Sequence, residues 1–175
     1  MSQLLMRRPN LDALPKMPTL PAGSILRAAA PEDGPALAAL LQSAFPEEIW
    51  TLERVQSALL EAPDVEETYL ITRGDELLAT ASARIAPEFP RSGYLHWVAV
   101  TPAAQGQSLG FDISLAVLHG FAKRGCADAV LETDDHRLPA IKTYQNLGFV
   151  PEPSHDTHPE RWTDVLAKLA AAINL

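Results

Sequence analysis

The sequence has little cysteine, few aromatic residues and no concentration of positive charge. One cysteine, Cys126, stands among 175 residues. An internal disulfide is therefore impossible, and the expected compartment is a reducing cytosol. Cys126 lies between Gly125 and Ala127 with no base beside it in sequence, which points to a buried structural thiol and not a nucleophile. Lys and Arg number 14 against 22 Asp and Glu, a net charge of −8, and Arg7-Arg8 is the densest basic pair of the N-terminal segment. That balance argues against a nucleic-acid partner, which needs clustered cations to neutralise phosphates. It is compatible with a cationic acceptor such as an amine, and equally with plain solubility. No run of about 18 apolar residues exists, so no membrane-spanning helix is expected. The apolar run within residues 1–8 is too short for a secretory signal.

What is present describes a folded domain. A chain of this length can bury a core of its own. Its 47% hydrophobic and 21% charged residues are ordinary for a globular protein. Proline is the exception, with 15 residues, and Pro9, Pro15, Pro18 and Pro21 fall in residues 1–23 without any periodic pattern. Proline fixes the chain locally and removes donors, so this stretch reads as an extended arm preceding a domain of residues 24–175. Leu4, Leu5, Leu11, Leu14 and Leu20 imply that the arm packs along the domain or onto a partner subunit, which would make a homodimer.

Hydrophobic spacing and turn residues give the order β-α-α-β-β-β-α-β-α-β-α. Ser24 to Arg27 is the expected first strand. Leu37, Leu40 and Leu41 mark a helix, and Thr51 is an N-cap for the next. Arg73-Gly74-Asp75-Glu76 turns a hairpin. Tyr94 to Val100 is an aromatic and β-branched strand. Leu109 to Lys123 is helical in length but apolar on nearly all sides, so it must be covered on more than one. Leu138 to Asn146 is a helix stopped by Gly148. The pattern predicts an α/β (α+β) domain with a mixed sheet flanked by helices.

The segment Trp97 to Gly110 carries the clearest functional signal. A strand runs through a glycine-containing loop into a helix start, where unpartnered N–H groups and the positive dipole end suit phosphate oxygens. The signal is weak alone. No Gly-Lys-Ser/Thr follows, and the three-glycine dinucleotide spacing is missing.

Val100-x-Pro102-x-x-Gln105-Gly106-x-Ser108-x-Gly110 resembles the acetyl-CoA loop of the GNAT superfamily of N-acetyltransferases, usually Gln/Arg-x-x-Gly-x-Gly/Ala. A second segment, Ala140-Ile141-Lys142-Thr143-Tyr144-Gln145-Asn146-Leu147-Gly148-Phe149, resembles that family's later helix. The two stand in the family's order, and the resemblance covers about Ser24 to Pro151. It implies a single domain built on about six mostly antiparallel strands. It implies acetyl-CoA as co-substrate, no metal, and a primary amine of a small molecule or peptide as acceptor. Val98, Ala99 and Val100 would face the pantetheine arm. Gln105, Gly106, Gln107, Ser108, Leu109 and Gly110 would meet the pyrophosphate, with Arg137 and Ala140 also at the cofactor. Tyr144 would protonate the leaving thiolate. The base is open between His96, placed by strict alternation on the face of Val98 and Val100, and Glu132 at the end of the next strand. Ser108 departs from the family's glycine, and Asp112 brings negative charge near the expected phosphates. An alternative reading is therefore a CoA-binding sensor or partner-binding module. The family's usual last strand after Phe149 is hard to see.

Overall fold

The structure is a computed structural model describing residues 2–173. Seven strands form one sheet in the order β2-β3-β4-β5-β6-β1-β7. They are β1 (Leu4–Arg8), β2 (Ser24–Ala28), β3 (Val65–Arg73), β4 (Glu76–Arg84), β5 (Ser92–Val100), β6 (Asp128–Thr133) and β7 (Val150–Pro151). Every neighbouring pair is antiparallel except β5 and β6. The helices are α1 (Gly34–Ala44), α2 (Leu52–Val55, continued by a π-turn over Gln56–Leu60), α3 (Leu109–Arg124), α4 (Leu138–Asn146) and α5 (His158–Ile173). Thr51 caps α2 as expected, its hydroxyl accepting from the Arg54 N–H at 3.2 Å.

The N-terminal segment corrects the sequence reading. Leu4–Arg8 is not an arm outside the domain but an interior strand, seated between β6 and β7. It pairs with β6 from Leu4↔Thr133 to Arg8↔Ala129 and with β7 through Met6↔Pro151 and Arg7↔Val150. Leu4 and Met6 are fully buried in the main core. Arg7 reaches β5, β6 and the residue after β7: it donates to Ser92 Oγ (3.1 Å) and Glu152 Oε1 (2.9 Å) and pairs with Asp128 (3.0 Å). With β1 added to the six or so strands expected, the sheet has seven. The slot beside β6 is filled from the start of the chain, while the short β7 lies at the sheet edge. Five residues with few polar alternations gave too brief a period to be read as a strand.

The rest of the arm also has a partner within the chain. Leu11, Leu14, Met17 and Leu20 pack on the core that contains α3, and His119 of α3 lies 2.8 Å from the Pro15 carbonyl. With the sheet on its other side, α3 is covered twice, which accounts for its all-round apolar surface. The approach to the sheet is close: a Cβ on Gly93 would fall 2.2–2.4 Å from the Phe121 ring.

Alternate side chains of the sheet feed different cores. On β3, Leu70 joins α1 and α2, while Ile71 joins α3. Complete burial of Phe121, Phe149, Leu4 and Met6 stabilises the fold by about 1.5–3 kcal/mol each.

Candidate functional site

Two irregularities of β5 make the site. Its pairing with β6 ends at Tyr94↔Val130, although β5 runs on to Val100 and β6 to Thr133. The two strands part, and the β6-facing main chain of β5 beyond Tyr94 has no strand to bond. On its other edge, the register with β4 slips between Thr80↔Ala99 and Ser82↔His96. This bulge holds Trp97 at φ +49°, a left-handed conformation rare for a bulky residue.

The bulge overturns the strict alternation expected along β5. Tyr94, His96 and Trp97 now share a face: the Tyr94 and His96 rings stack at 5.0 Å, and His96 lies 4.8 Å from Trp97. Val98 and Val100 pack instead on the α3-side core, and Ala99 on the α1–α2 side. His96 is thus not on the face of Val98 and Val100.

An open cleft of about 790 Å³ lies beyond the point where the strands part, between the end of β5, the start of α3, and α4. Val98, Ala99 and Val100 line it from β5, and Gln105, Gly106, Ser108, Leu109 and Gly110 from the loop and the start of α3. Arg137, Ala140 and Tyr144 line it from α4. Of the residues expected around a cofactor, only Gln107, which is exposed, does not. Neither His96 nor Glu132 lines the cleft. Thr143 and Asn146 of α4 and Ser43 and Ala44 of α1 do, though the sequence did not single them out. Helical spacing from Ala140 and Tyr144 would have found Thr143. Nothing local marks Ser43 or Ala44, which arrive by tertiary packing.

The loop is shaped to present N–H groups. Gly106 has φ +79°, and a Cβ there would meet nothing within 4 Å. Glycine is therefore required by conformation, not by crowding within the chain. At Gly110 a Cβ would make only ordinary contact with Val100 (3.7 Å). Ser108 is at φ +61°, ψ 9°, and its side chain does not cap α3. The glycine usual at this place would occupy the left-handed region without strain; serine does so at a cost of about 1 kcal/mol. The first N–H bond of the helix runs from Asp112 to the Ser108 carbonyl (3.0 Å). The N–H groups of Leu109, Gly110 and Phe111 precede it and lie at the cleft wall. These donors, the dipole end and the open β5 edge fit a ligand with a phosphate group at one end and an amide-bearing arm beyond it. Asp112 is buried and does not line the cleft; burial pushes its carboxyl upward.

Tyr144 is 7% exposed, with its ring 6.1 Å from Phe149 in an edge arrangement. Among the described residues its hydroxyl has no hydrogen-bond partner, and the side chain lines the cleft. Burial pushes the phenol up to about 12, with Arg137 opposing, so it holds its proton at neutral pH. His96 behaves oppositely: burial, then the Arg84 charge, lower it to about 4, and its Nδ1 is enclosed without a hydrogen-bond partner among the described residues. It is neutral at pH 7. Glu132 is exposed and accepts from the Tyr94 hydroxyl at 2.7 Å. Arg137 is directed at α1: it donates to the Ala44 carbonyl (3.2 Å) and Glu47 (3.1 Å), with Cζ 4.2 Å over the Phe45 ring. Cys126 is half-buried, and burial raises its thiol, in keeping with a structural role.

A family model described as the acetyltransferase (GNAT) family matches residues 35–149, and the chain belongs to that family, whose members use acetyl-CoA. Curated relatives include the mycothiol acetyltransferases of Thermomonospora curvata and Nocardia farcinica. The first is 33% identical over 153 residues, covering 83% of this chain and 50% of the relative. The second is 34% identical over 151 residues, covering 79% and 50%. The chain thus spans about half the length of the curated relatives it matches. Among solved structures, a GCN5-related N-acetyltransferase from Sphaerobacter thermophilus superposes with TM-score 0.68 at 20% identity, covering 87% of this chain and 50% of that one. The ribosomal-protein-S18-alanine N-acetyltransferase of Escherichia coli gives TM-score 0.62 at 24% identity, covering 73% and 77%. These likenesses concern the fold.

Proposed function

We propose that the chain is an acetyl-CoA-dependent N-acetyltransferase, moving an acetyl group to the primary amine of a small molecule or peptide by direct attack in a ternary complex. The observation that carries this reading is the Tyr144 hydroxyl: protonated, without a partner among the described residues, and at the wall of the cleft beside β5.

The open main chain of Val98 and Val100 accepts the pantetheine amides as an added strand would. The uncapped start of α3 and the Gln105–Gly110 loop hold the pyrophosphate. That fixes the thioester near Tyr144. A neutral amine attacks the carbonyl; the C–S bond breaks, the thiolate takes the Tyr144 proton, and the proton shed by the acylated nitrogen returns to the phenol through solvent. The amine must first lose a proton of its own. His96, held neutral by burial, is a poor receiver. Glu132, exposed and hydrogen-bonded to Tyr94, is the other candidate; it lies outside the cleft lining and would receive the proton through water. The relatives named for mycothiol support a small-molecule acceptor.

Two observations favour a second reading. Among the described residues no carboxylate or histidine lines the cleft, and Ser108 strains the loop. A domain that binds CoA without turnover would look the same. Calorimetry with acetyl-CoA, followed by thiol release with a panel containing glucosamine, cysteine, lysine and spermidine, separates the two. Micromolar binding with release on at least one amine supports the enzyme. No binding at millimolar acetyl-CoA rejects both readings.

A further inference from the structure

We propose that Arg137 is a positioning residue for the acceptor side, tying the end of α1 and the loop after it to α4 across the cleft, and not a ligand of the co-substrate's phosphates. The proposal rests on the acetyltransferase reading for its consequence in turnover, but its geometry stands independently.

All the partners of the guanidinium lie away from the Gln105–Gly110 loop. Nη2 donates to the Ala44 carbonyl at 3.2 Å and to Glu47 Oε1 at 3.1 Å. Cζ sits 4.2 Å over the Phe45 ring, and Nε is 3.4 Å from Asp134. The Ala44 carbonyl belongs to the last turn of α1, where the helix supplies no donor. Arg137 does so from the opposite wall of the cleft. Glu47 is 55% exposed, so this part of the tie can be exchanged for water or an incoming ligand.

The loop after α1 is braced within itself. Gln42 donates to the Glu48 carbonyl (3.0 Å) and accepts from the Trp50 N–H (3.0 Å). Arg54 bonds the Ile49 carbonyl (2.8 Å) and Glu48 (2.7 Å). Residues 44–51 therefore move as a unit, and Arg137 joins that unit to α4. A line of rings carries its position to the strand: Phe45 meets Trp97 edge-on at 5.0 Å, Trp97 meets Trp50 at 4.7 Å, and Arg54 lies 4.4 Å over Trp50. Trp97 is the bulge residue immediately before Val98 of the cleft wall. Release of Arg137 would loosen the α1 end of the cleft wall, where Ser43 and Ala44 stand with Val98 and Tyr144 around the place the proposed reaction gives the thioester.

The test compares Arg137→Gln and Arg137→Lys with the parent chain. In the glutamine variant, amide hydrogen exchange over residues 44–51 should quicken at least fivefold, with α3 unchanged. In a Trp162→Phe background, where Trp50 and Trp97 alone emit, acrylamide quenching should rise about twofold. The lysine variant should recover part of both effects. The acetyl-CoA dissociation constant should stay within threefold, while KM for the fastest amine of the panel rises at least fivefold. Unchanged exchange and quenching overturn the proposal. So does a tenfold loss of acetyl-CoA affinity with unchanged quenching, which would make Arg137 a phosphate ligand. If the parent chain binds no acetyl-CoA, the functional reading fails, and exchange and quenching still decide the role of Arg137.

Discussion

The Tyr94 hydroxyl donates to the Glu132 carboxylate at 2.7 Å, joining β5 and β6 just past their last backbone pair. Side chains take over where the ladder stops. Burial first, and the hydrogen bond to Glu132 second, push the Tyr94 phenol upward, so the tyrosine keeps its proton. If Glu132 receives the acceptor's proton, Glu132→Gln should lower kcat/KM for the amine by about 10- to 100-fold. The acetyl-CoA dissociation constant should barely move. Steady-state kinetics and calorimetry check this; an unaltered pH–rate profile would remove Glu132 from the chemistry.

Tyr144→Phe should reduce kcat by about 100-fold while leaving acetyl-CoA affinity within threefold. It should also change alkaline stability. The folded phenol lies near 12 against an ordinary value of 10, so the folded state holds its proton longer. That stability is complete below pH 10 and is lost as pH rises towards 12. Urea titrations at pH 9 and 11 should show a smaller loss for the phenylalanine variant than for the parent.

His96 gives the opposite dependence on the acid side. Its folded value near 4 is below the ordinary 6.5, so the unfolded chain binds the proton first. Its contribution is present above pH 6.5 and fades as pH falls through 4, by about 1–3 kcal/mol. His96→Gln should flatten the stability curve between pH 6.5 and 4. Equal slopes for the two proteins would contradict the buried neutral imidazole.

Ser108→Gly should relieve the left-handed strain at φ +61° and stabilise the domain by about 0.5–1 kcal/mol. Thermal unfolding would show a rise of a few degrees. Acetyl-CoA should bind as well or better, since a Cβ leaves the loop. A fall in melting temperature would mean that the serine is not strained there.

Removal of residues 1–21 should abolish cooperative unfolding, because it takes an interior strand and Arg7 with it. Truncation therefore cannot be read as a probe of dimer formation. A gentler test is Met6→Ala, expected to cost about 2–5 kcal/mol. A truncated chain with native near-ultraviolet circular dichroism would refute the assignment of β1.

The β3–β4 hairpin, the α2 cap and the whole of α4 were legible because their signals are local: turn residues, an N-cap hydroxyl and a proline–glycine bracket. The loop and α4 residues of the cleft were legible for a related reason. Gly106 is demanded by its own backbone angle, and Ala140 and Tyr144 follow helical spacing. Ser108 shows the limit: the departure was visible, but its conformational cost appears only with φ.

Composition, element order and the paired motifs thus determined a family and one wall of its cleft, through conformational demands that act within a few residues. Tertiary structure decided the rest. It carried Leu4–Arg8 across the domain to bond β6, ended the β5–β6 ladder at Tyr94, and set Arg137 against the Ala44 carbonyl. One extra residue in the β5 register also moved His96 to the other face, since side chains on a strand alternate with a period of two. Such outcomes depend on partners far away in the chain, and no local spacing encodes them.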